Sequence, residues 1–396
     1  MKLLALIFLS IIHRIRCQCS IDIRTELNRK SGGTVKEPLF LKYTGNDYKL
    51  MIPEDDGQLR FRNGENALIA CTSDQKPNNL TFNNKSSSTI FCVSGNDFNI
   101  NSQRTTVSDF NECTQQINGN AINRNQRCAA NGSLISIGFQ LTEGRGFVTL
   151  IDVCYNKKSG SAVYARHYLQ GWAIKNAMKS SSRPSGFKTV EVPKNIDAAK
   201  SFTKANQLKR FEQIFGDNEK AQEYINKTYL ARGHLAPDGD FIFISWQFTS
   251  YYYINTVPQW QSINNANWKI IESAVRSKAD KLKSDLLIYT GGFDALKLNN
   301  RKISLEPDGL VVPKWSWKVI KDPSSDSGIA FVTLNNPFVT SAPNSLCKDI
   351  CSDNGWEWKD RKTFLKGFTI CCSIADLMSA IADIPDEARA NRILHK

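Results

Sequence analysis

A histidine, an asparagine and a few charged side chains stand at intervals suited to metal-assisted hydrolysis of a phosphate ester. The stretch Tyr229-Leu-Ala-Arg-Gly-His-Leu-Ala-Pro-Asp-Gly-Asp-Phe241 sets Arg232, Gly233 and His234 side by side. Asn264 follows within Asn255-Thr-Val-Pro-Gln-Trp-Gln-Ser-Ile-Asn-Asn-Ala-Asn-Trp268. An imidazole can take a proton from water near neutral pH. An amide carbonyl is a hard oxygen ligand suited to Mg²⁺, and a guanidinium offers forked donors that match phosphate oxygens. Arg232, next to the imidazole, would depress its pKa and keep it neutral.

These side chains need a scaffold. Trp268, Ile271 and Val275 recur at helical spacing and predict an amphipathic helix with one buried face. On it, Asn264, Glu272 and Arg276 differ by multiples of four, so they fall at 0°, roughly 80° and roughly 120° and share one broad flank. Tyr251-Tyr-Tyr-Ile254 reads as a hydrophobic strand carrying Asn255 and Gln259 just before the helix. Each residue also has an ordinary reading. Most lone histidines are structural, Asn264 suits a helix N-cap, and Glu272 with Arg276 is a common surface pair. Asn255 and Gln259 could be turn and surface amides, and Arg183, in a polar Ser-Arg-Pro-Ser loop, simply solvated.

With 396 residues, 41% of them hydrophobic, the chain can bury a substantial core. Residues 20 to about 140 look β-rich and irregular: short apolar runs (Ala67–Cys71, Ser88–Val93, Ser133–Phe139) alternate with Asn, Ser and Gly turns. A composition change begins near residue 145. Beyond it Phe147–Tyr155, Leu286–Thr290 ending at Gly291-Gly292, Val311–Ile320 and Gly328–Leu334 read as strands, and Lys204 to about Tyr224 as a helix. There is no regular β-α-β rhythm, which predicts an α+β fold with a mixed sheet. The expected organisation is a signal peptide at 1–17, a smaller β-rich module at 18–140 and a catalytic domain at 145–390.

The first twelve residues place one lysine before an apolar run too short to span a bilayer, the pattern of a secretory signal. Removing Cys17 with it leaves 11 − 1 = 10 cysteines, enough for five disulfides in an oxidising compartment. The rival reading is a zinc site built from Cys347, Cys351, Cys371 and Cys372. Asn79, Asn84, Asn131 and Asn226 head Asn-x-Ser/Thr sequons that predict a glycoprotein. Net charge is +13, or 13 − 3 = +10 without Lys2, Arg14 and Arg16. A basic secreted protein attracts polyanions.

In this order the segments resemble the DNA/RNA non-specific endonucleases, whose metal site is built on a β-β-α motif. The likeness runs to the secreted arthropod nucleases, including crustacean duplex-preferring and insect gut or salivary forms. It rests on Ser182–Ser185, Ala231-Arg-Gly-His-Leu-Ala-Pro-Asp238, Tyr252–Gln261, Asn264-Asn-Ala-Asn-Trp-Lys269 and Asn335-Asn-Pro337. The resemblance implies a ββα-metal nuclease core with His234 as general base and Asn264 as sole direct protein ligand of Mg²⁺ or Mn²⁺. Arg232, Glu272 and Arg276 would hold metal-bound waters and the scissile phosphate. Asn255 and Gln259 would support the loop or contact substrate, and Arg183 would contact phosphate. Ala231 stands where the bacterial signature carries aspartate. A nuclease weakened there could persist as a nucleic-acid binder with little turnover, which is the second reading. A glycan-binding or structural secreted protein is the third, and only charge and sequons speak for it. DNA and RNA are both admissible substrates, and no stable membrane association is expected.

Overall fold

The computed structural model describes residues 17–27, 36–73, 76–180 and 183–396. The expected signal segment falls outside them except for its last residue. The centre is a nine-stranded sheet. Its order is Thr369–Cys372, Ser327–Leu334, Pro313–Asp322, Leu286–Ala295, Ser161–Leu169, Phe147–Asn156, Ser133–Gln140 and Asn120–Arg127, with Arg392–Ile393 beside Ser327–Leu334. Neighbours are antiparallel, except that Arg392–Ile393 runs parallel. Ser327–Leu334 is buried along its whole length, as a strand covered on both faces must be. The fold is α+β, with few helices beside this sheet.

The N-terminal region contributes a six-stranded antiparallel sheet spanning Leu39 to Thr106, plus a ribbon of Cys17–Asp22 with Gln58–Arg62. Five disulfides join Cys19–Cys92, Cys71–Cys113, Cys128–Cys154, Cys347–Cys372 and Cys351–Cys371. The even count was therefore the right guide, and the four cysteines considered for zinc are spent on two bridges. The large sheet reaches back past the composition change near residue 145, because Ser133–Gln140 pairs with Phe147–Asn156 and Asn120–Arg127 forms the edge beyond it. Buried side chains from Cys19 to Val257 form one continuous core across that point.

One tie between the two regions is polar. Glu37 is completely buried, and its Oε1 accepts the Ser245 N–H at 2.6 Å, in the first turn of the short helix Ile244–Thr249. The other carboxylate oxygen and the Ser245 hydroxyl are buried and meet no strict hydrogen-bond geometry with a described residue, though the Ser245 side chain acts on the Glu37 carboxyl. Burial pushes the Glu37 carboxyl up to about 7.

Three local expectations are corrected. The single helix over 204–224 is two, Lys204–Phe215 and Asn218–Lys227, because Gly216 turns left-handed at φ +70° and Asp217 caps the next helix on Lys220 N. Tyr251–Ile254 is not a strand. The chain turns through Tyr253–Asn255, and the strand is Thr256–Trp260. Gly291 and Gly292 do not end their strand, which continues to Ala295. They admit close neighbours instead: a Cβ on Gly291 would lie 2.5 Å from the Trp317 ring, and one on Gly292 would lie 2.7 Å from Pro313.

Candidate active site

Two short strands and a helix present the expected residues. Leu230–His234 pairs antiparallel with Thr256–Trp260, placing Ala231 opposite Gln259 and His234 opposite Thr256. After the second strand a short turn of helix leads through an irregular stretch, Asn264–Trp268, into the site helix Lys269–Leu282. The site helix buries Ile271, Val275 and Ala279, the face its apolar spacing predicts.

His234 ends the first strand. Phe187 and Tyr251 flank its ring, each at 5.0 Å between centroids. Nε2 is buried and has no hydrogen-bond partner among the described residues. Burial lowers the imidazole pKa, opposed by Asp238 and assisted by Arg183. The ring is thus neutral at physiological pH and can accept a proton. The arginine acting on it is Arg183 rather than the adjacent Arg232. Arg232 instead points into an aromatic cage, with Phe187, Phe202 and Tyr253 at 5.6, 5.4 and 5.5 Å, and donates from Nε to the Tyr253 hydroxyl at 3.1 Å. Arg183 is exposed on a loop that reaches the site because Lys188 exchanges backbone hydrogen bonds with Tyr251 and Tyr253.

The turn after His234 links the strand to the site helix. Asp238 accepts a hydrogen bond from the Tyr251 hydroxyl at 2.7 Å. It acts electrostatically on His234, Glu272 and Arg276. A Cβ on Gly239 would lie 3.0 Å from Arg276 Nη1, so a larger residue here would press on the Arg276 guanidinium. Asp240 is 2% exposed and accepts from Arg276 Nη1 at 2.8 Å through one oxygen. Its other oxygen lies 2.9 Å from His167 Nε2. Despite burial, which raises it, the His167 hydrogen bond and nearby cations hold the Asp240 carboxyl down at about 2. Lys318, also buried, donates to Thr290 Oγ1 at 2.6 Å and lies over the Trp268 ring at 5.6 Å. Burial depresses its pKa.

Glu272 makes no hydrogen bond to a described residue. Burial raises its carboxyl to about 7, Asp240 and Asp238 add to the rise, and Lys318 and Arg276 oppose it. Its partnership with Arg276 is not the simple surface pair the spacing allowed, since Arg276 is tied to Asp240. Asn264 is not the N-cap of the site helix, a position Trp268 takes; it follows the short helix Gln261–Ile263 as its C-cap. It lies inside the irregular stretch, half-buried, and its amide makes no hydrogen bond to a described residue. What shapes this stretch is Asn267, which is completely buried. Its Nδ2 donates to the carbonyls of Asp360, Arg361 and Gly367 at 2.9, 3.3 and 2.7 Å, and its Oδ1 accepts from Trp358 Nε1 at 2.8 Å.

Asn255 and Gln259 are corrected as substrate contacts. Asn255 is completely buried, with Nδ2 donating to Ala236 O and Ser250 O and Oδ1 accepting from Ala236 N. It locks the turn that precedes the second strand. Gln259 is 1% exposed and donates to Ser316 Oγ at 3.2 Å, fastening the ribbon to the large sheet. Sequence reasoning passed over His167, Asp238, Asp240 and Lys318. Asp238-Gly-Asp240 stood inside the opening motif, and the scarcity of histidines could have drawn attention to His167. Nothing local marks Lys318, which arrives through the register pairing it with Thr290.

Asn264, Glu272 and Asp238 offer hard oxygen atoms, the donor set a hydrated Mg²⁺ accepts. Residues 130–377 match the family model described as DNA/RNA non-specific endonuclease. A salivary endonuclease of Lutzomyia longipalpis is 31% identical over 372 residues, covering 91% of this chain and 82% of the relative. Salivary protein Tsal2A of Glossina morsitans morsitans is 29% identical, covering 95% and 94%. A salivary endonuclease of Culex quinquefasciatus is 25% identical, covering 79% and 85%. The sequence motif, the strand–strand–helix frame and these matches together place the chain in the DNA/RNA non-specific endonuclease family.

Proposed function

We propose that the chain is a secreted, metal-dependent endonuclease hydrolysing DNA or RNA to 5′-phosphate products, with His234 as general base. The observation that carries this reading is the strand–strand–helix frame, which presents His234 with Phe187 and Tyr251 about its ring in a chain whose residues 130–377 match the nuclease family. Asn264, through its amide oxygen, would hold Mg²⁺ or Mn²⁺, and the carboxylates of Glu272 and Asp238 would receive hydrogen bonds from the ion's waters. When bound, the ion supplies charge neutralisation at the phosphate and at the departing 3′ oxygen. His234 takes a proton from the in-line water. Arg183, the Nη groups of Arg232 and the partly exposed edge of Arg276 stabilise charge on the phosphate. Asp240 and His167 hold Arg276 from behind. Affinity from backbone phosphates gives little sequence preference and a steep salt dependence.

Secretion is supported by the N-terminal pattern, by five disulfides and by salivary relatives. Among the described residues, no helix is long and apolar enough to cross a membrane. Ala231, which faces Gln259 on the ribbon, favours the second reading, a nucleic-acid binder with weak turnover. Nicking of supercoiled plasmid with Mg²⁺ and with EDTA separates the two. His234→Ala should cut the rate by about 10² to 10⁴, the usual worth of a general base, with DNA affinity kept. A fully active His234→Ala protein would remove the base assignment.

A further inference from the structure

An open groove of about 530 Å³ runs along the outer face of the site helix, and Asn265, Lys269, Ser273, Lys278, Lys281 and Lys396 are among its lining residues. No aspartate or glutamate is among the described residues that line it. The protein's other basic side chains are often neutralised locally: Lys283 meets Asp55 and Asp280, Arg60 meets Glu54 and Asp56, and Arg361 meets Asp349 and Glu357. The four groove lysines have no ion pair with any described residue.

The groove joins the active site at two points. Asn265 and Ala266 in its wall follow Asn264 directly. Ser273, also in its wall, accepts a hydrogen bond from Arg276 Nη2 at 3.3 Å. Lys269 and Lys281 lie on one continuous helix. Twelve residues at 1.5 Å each separate them by roughly 18 Å along the axis. That equals the rise of about five base pairs at 3.4 Å.

We propose that this groove is a second binding site, taking the phosphate backbone of the substrate several nucleotides from the scissile bond. The proposal rests on the nuclease reading and specifies how its substrate lies. The site helix then has two working flanks: Glu272 and Arg276 face the reacting phosphate, and the lysine row grips the flanking strand. Long duplexes are held more tightly than fragments that end before the groove.

The test is the full chain carrying Lys269→Gln, Lys278→Gln and Lys281→Gln together, substitutions that keep good helix formers on the helix. Binding to a long duplex and to one too short to reach the groove is measured across a salt series in EDTA, with kcat and KM in Mg²⁺ alongside. Loss of three phosphate contacts should lower the log–log salt slope for the long duplex by roughly 2 to 3 and weaken binding on the order of tenfold or more. The short duplex should bind as before, and kcat should hold. Wild-type slope and affinity on the long duplex overturn the proposal. So does equal loss on both lengths, or loss of heparin binding with DNA binding intact, which would mark a glycan surface. Because binding is read without metal, a wild type that never cleaves defeats the nuclease reading while the binding arm still decides the groove.

Discussion

Glu37→Gln should make the protein more stable at alkaline pH and change it little under acid conditions. Glu37 is buried against the start of the helix Ile244–Thr249, and its carboxyl is raised from 4.5 to about 7. A folded-state pKa above the unfolded value means that the native state binds the proton more tightly. The associated stability is fully present below pH 4.5 and is lost as pH rises through about 7. A shift of about 2.5 units at 1.36 kcal/mol each amounts to roughly 3 kcal/mol. The chain has 396 residues, so at about 2 cal/mol/K per residue the entropy of unfolding near Tm is about 0.8 kcal/mol/K, and 3 kcal/mol corresponds to about 4 °C. Glutamine imitates the protonated acid: its oxygen can accept from Ser245 N, and its NH₂ can face the Ser245 hydroxyl that now acts on the carboxyl. Thermal melts of both proteins at pH 4.5 and pH 8.5 should therefore diverge by about 4 °C at the higher pH only. A Glu37→Gln protein equally destabilised at both values would show that the carboxylate is stabilising as an anion, and the burial argument would fail.

Asn264→Ala should raise the Mg²⁺ concentration needed for half-maximal cleavage or abolish turnover, and an unchanged metal titration removes it from the site. Asp240→Asn should cost roughly 2 to 5 kcal/mol, from about 1.8 units of lowered pKa at the low end to a broken buried ion pair at the high end. The Asp240 contribution is present above pH 3.8 and fades as pH falls through about 2. Melting at neutral pH and kcat should both fall as Arg276 loses its anchor, and wild-type values for both would contradict that anchoring.

The sequence disclosed the family more readily than the support beneath its motif. His234, Asn264, Glu272 and Arg276 came forward as candidates through that resemblance, since helical spacing alone allowed a cap and a surface pair. Residues whose function depends on distant pairing did not. Lys318 reaches the site only through cross-strand register with Thr290, and Asp240 matters because His167, far earlier in the chain, lies against it. Asn255 and Gln259 were visible as polar residues near a motif, but nothing local announced that both amides point inward. The start of the large sheet shows the same limit. Its edge strand Asn120–Arg127 carries asparagine and arginine, so composition changes later than the sheet does.

The stretch bearing Asn264 owes its shape to the far end of the chain. Asn267 is clasped by the carbonyls of the loop at residues 360–367. Arg361 in that loop is fastened to Asp349 at 2.8 Å, and Asp349 in turn receives the backbone N–H groups of Cys351 and Cys371, two cysteines bridged to each other. A newly made polypeptide thus carries every motif residue long before it owns a finished centre. Completion waits for the last portion to emerge from the ribosome and for its thiols to be oxidised. A truncated or still-reduced copy would display the family's fingerprint while lacking the clasp that shapes the stretch bearing Asn264.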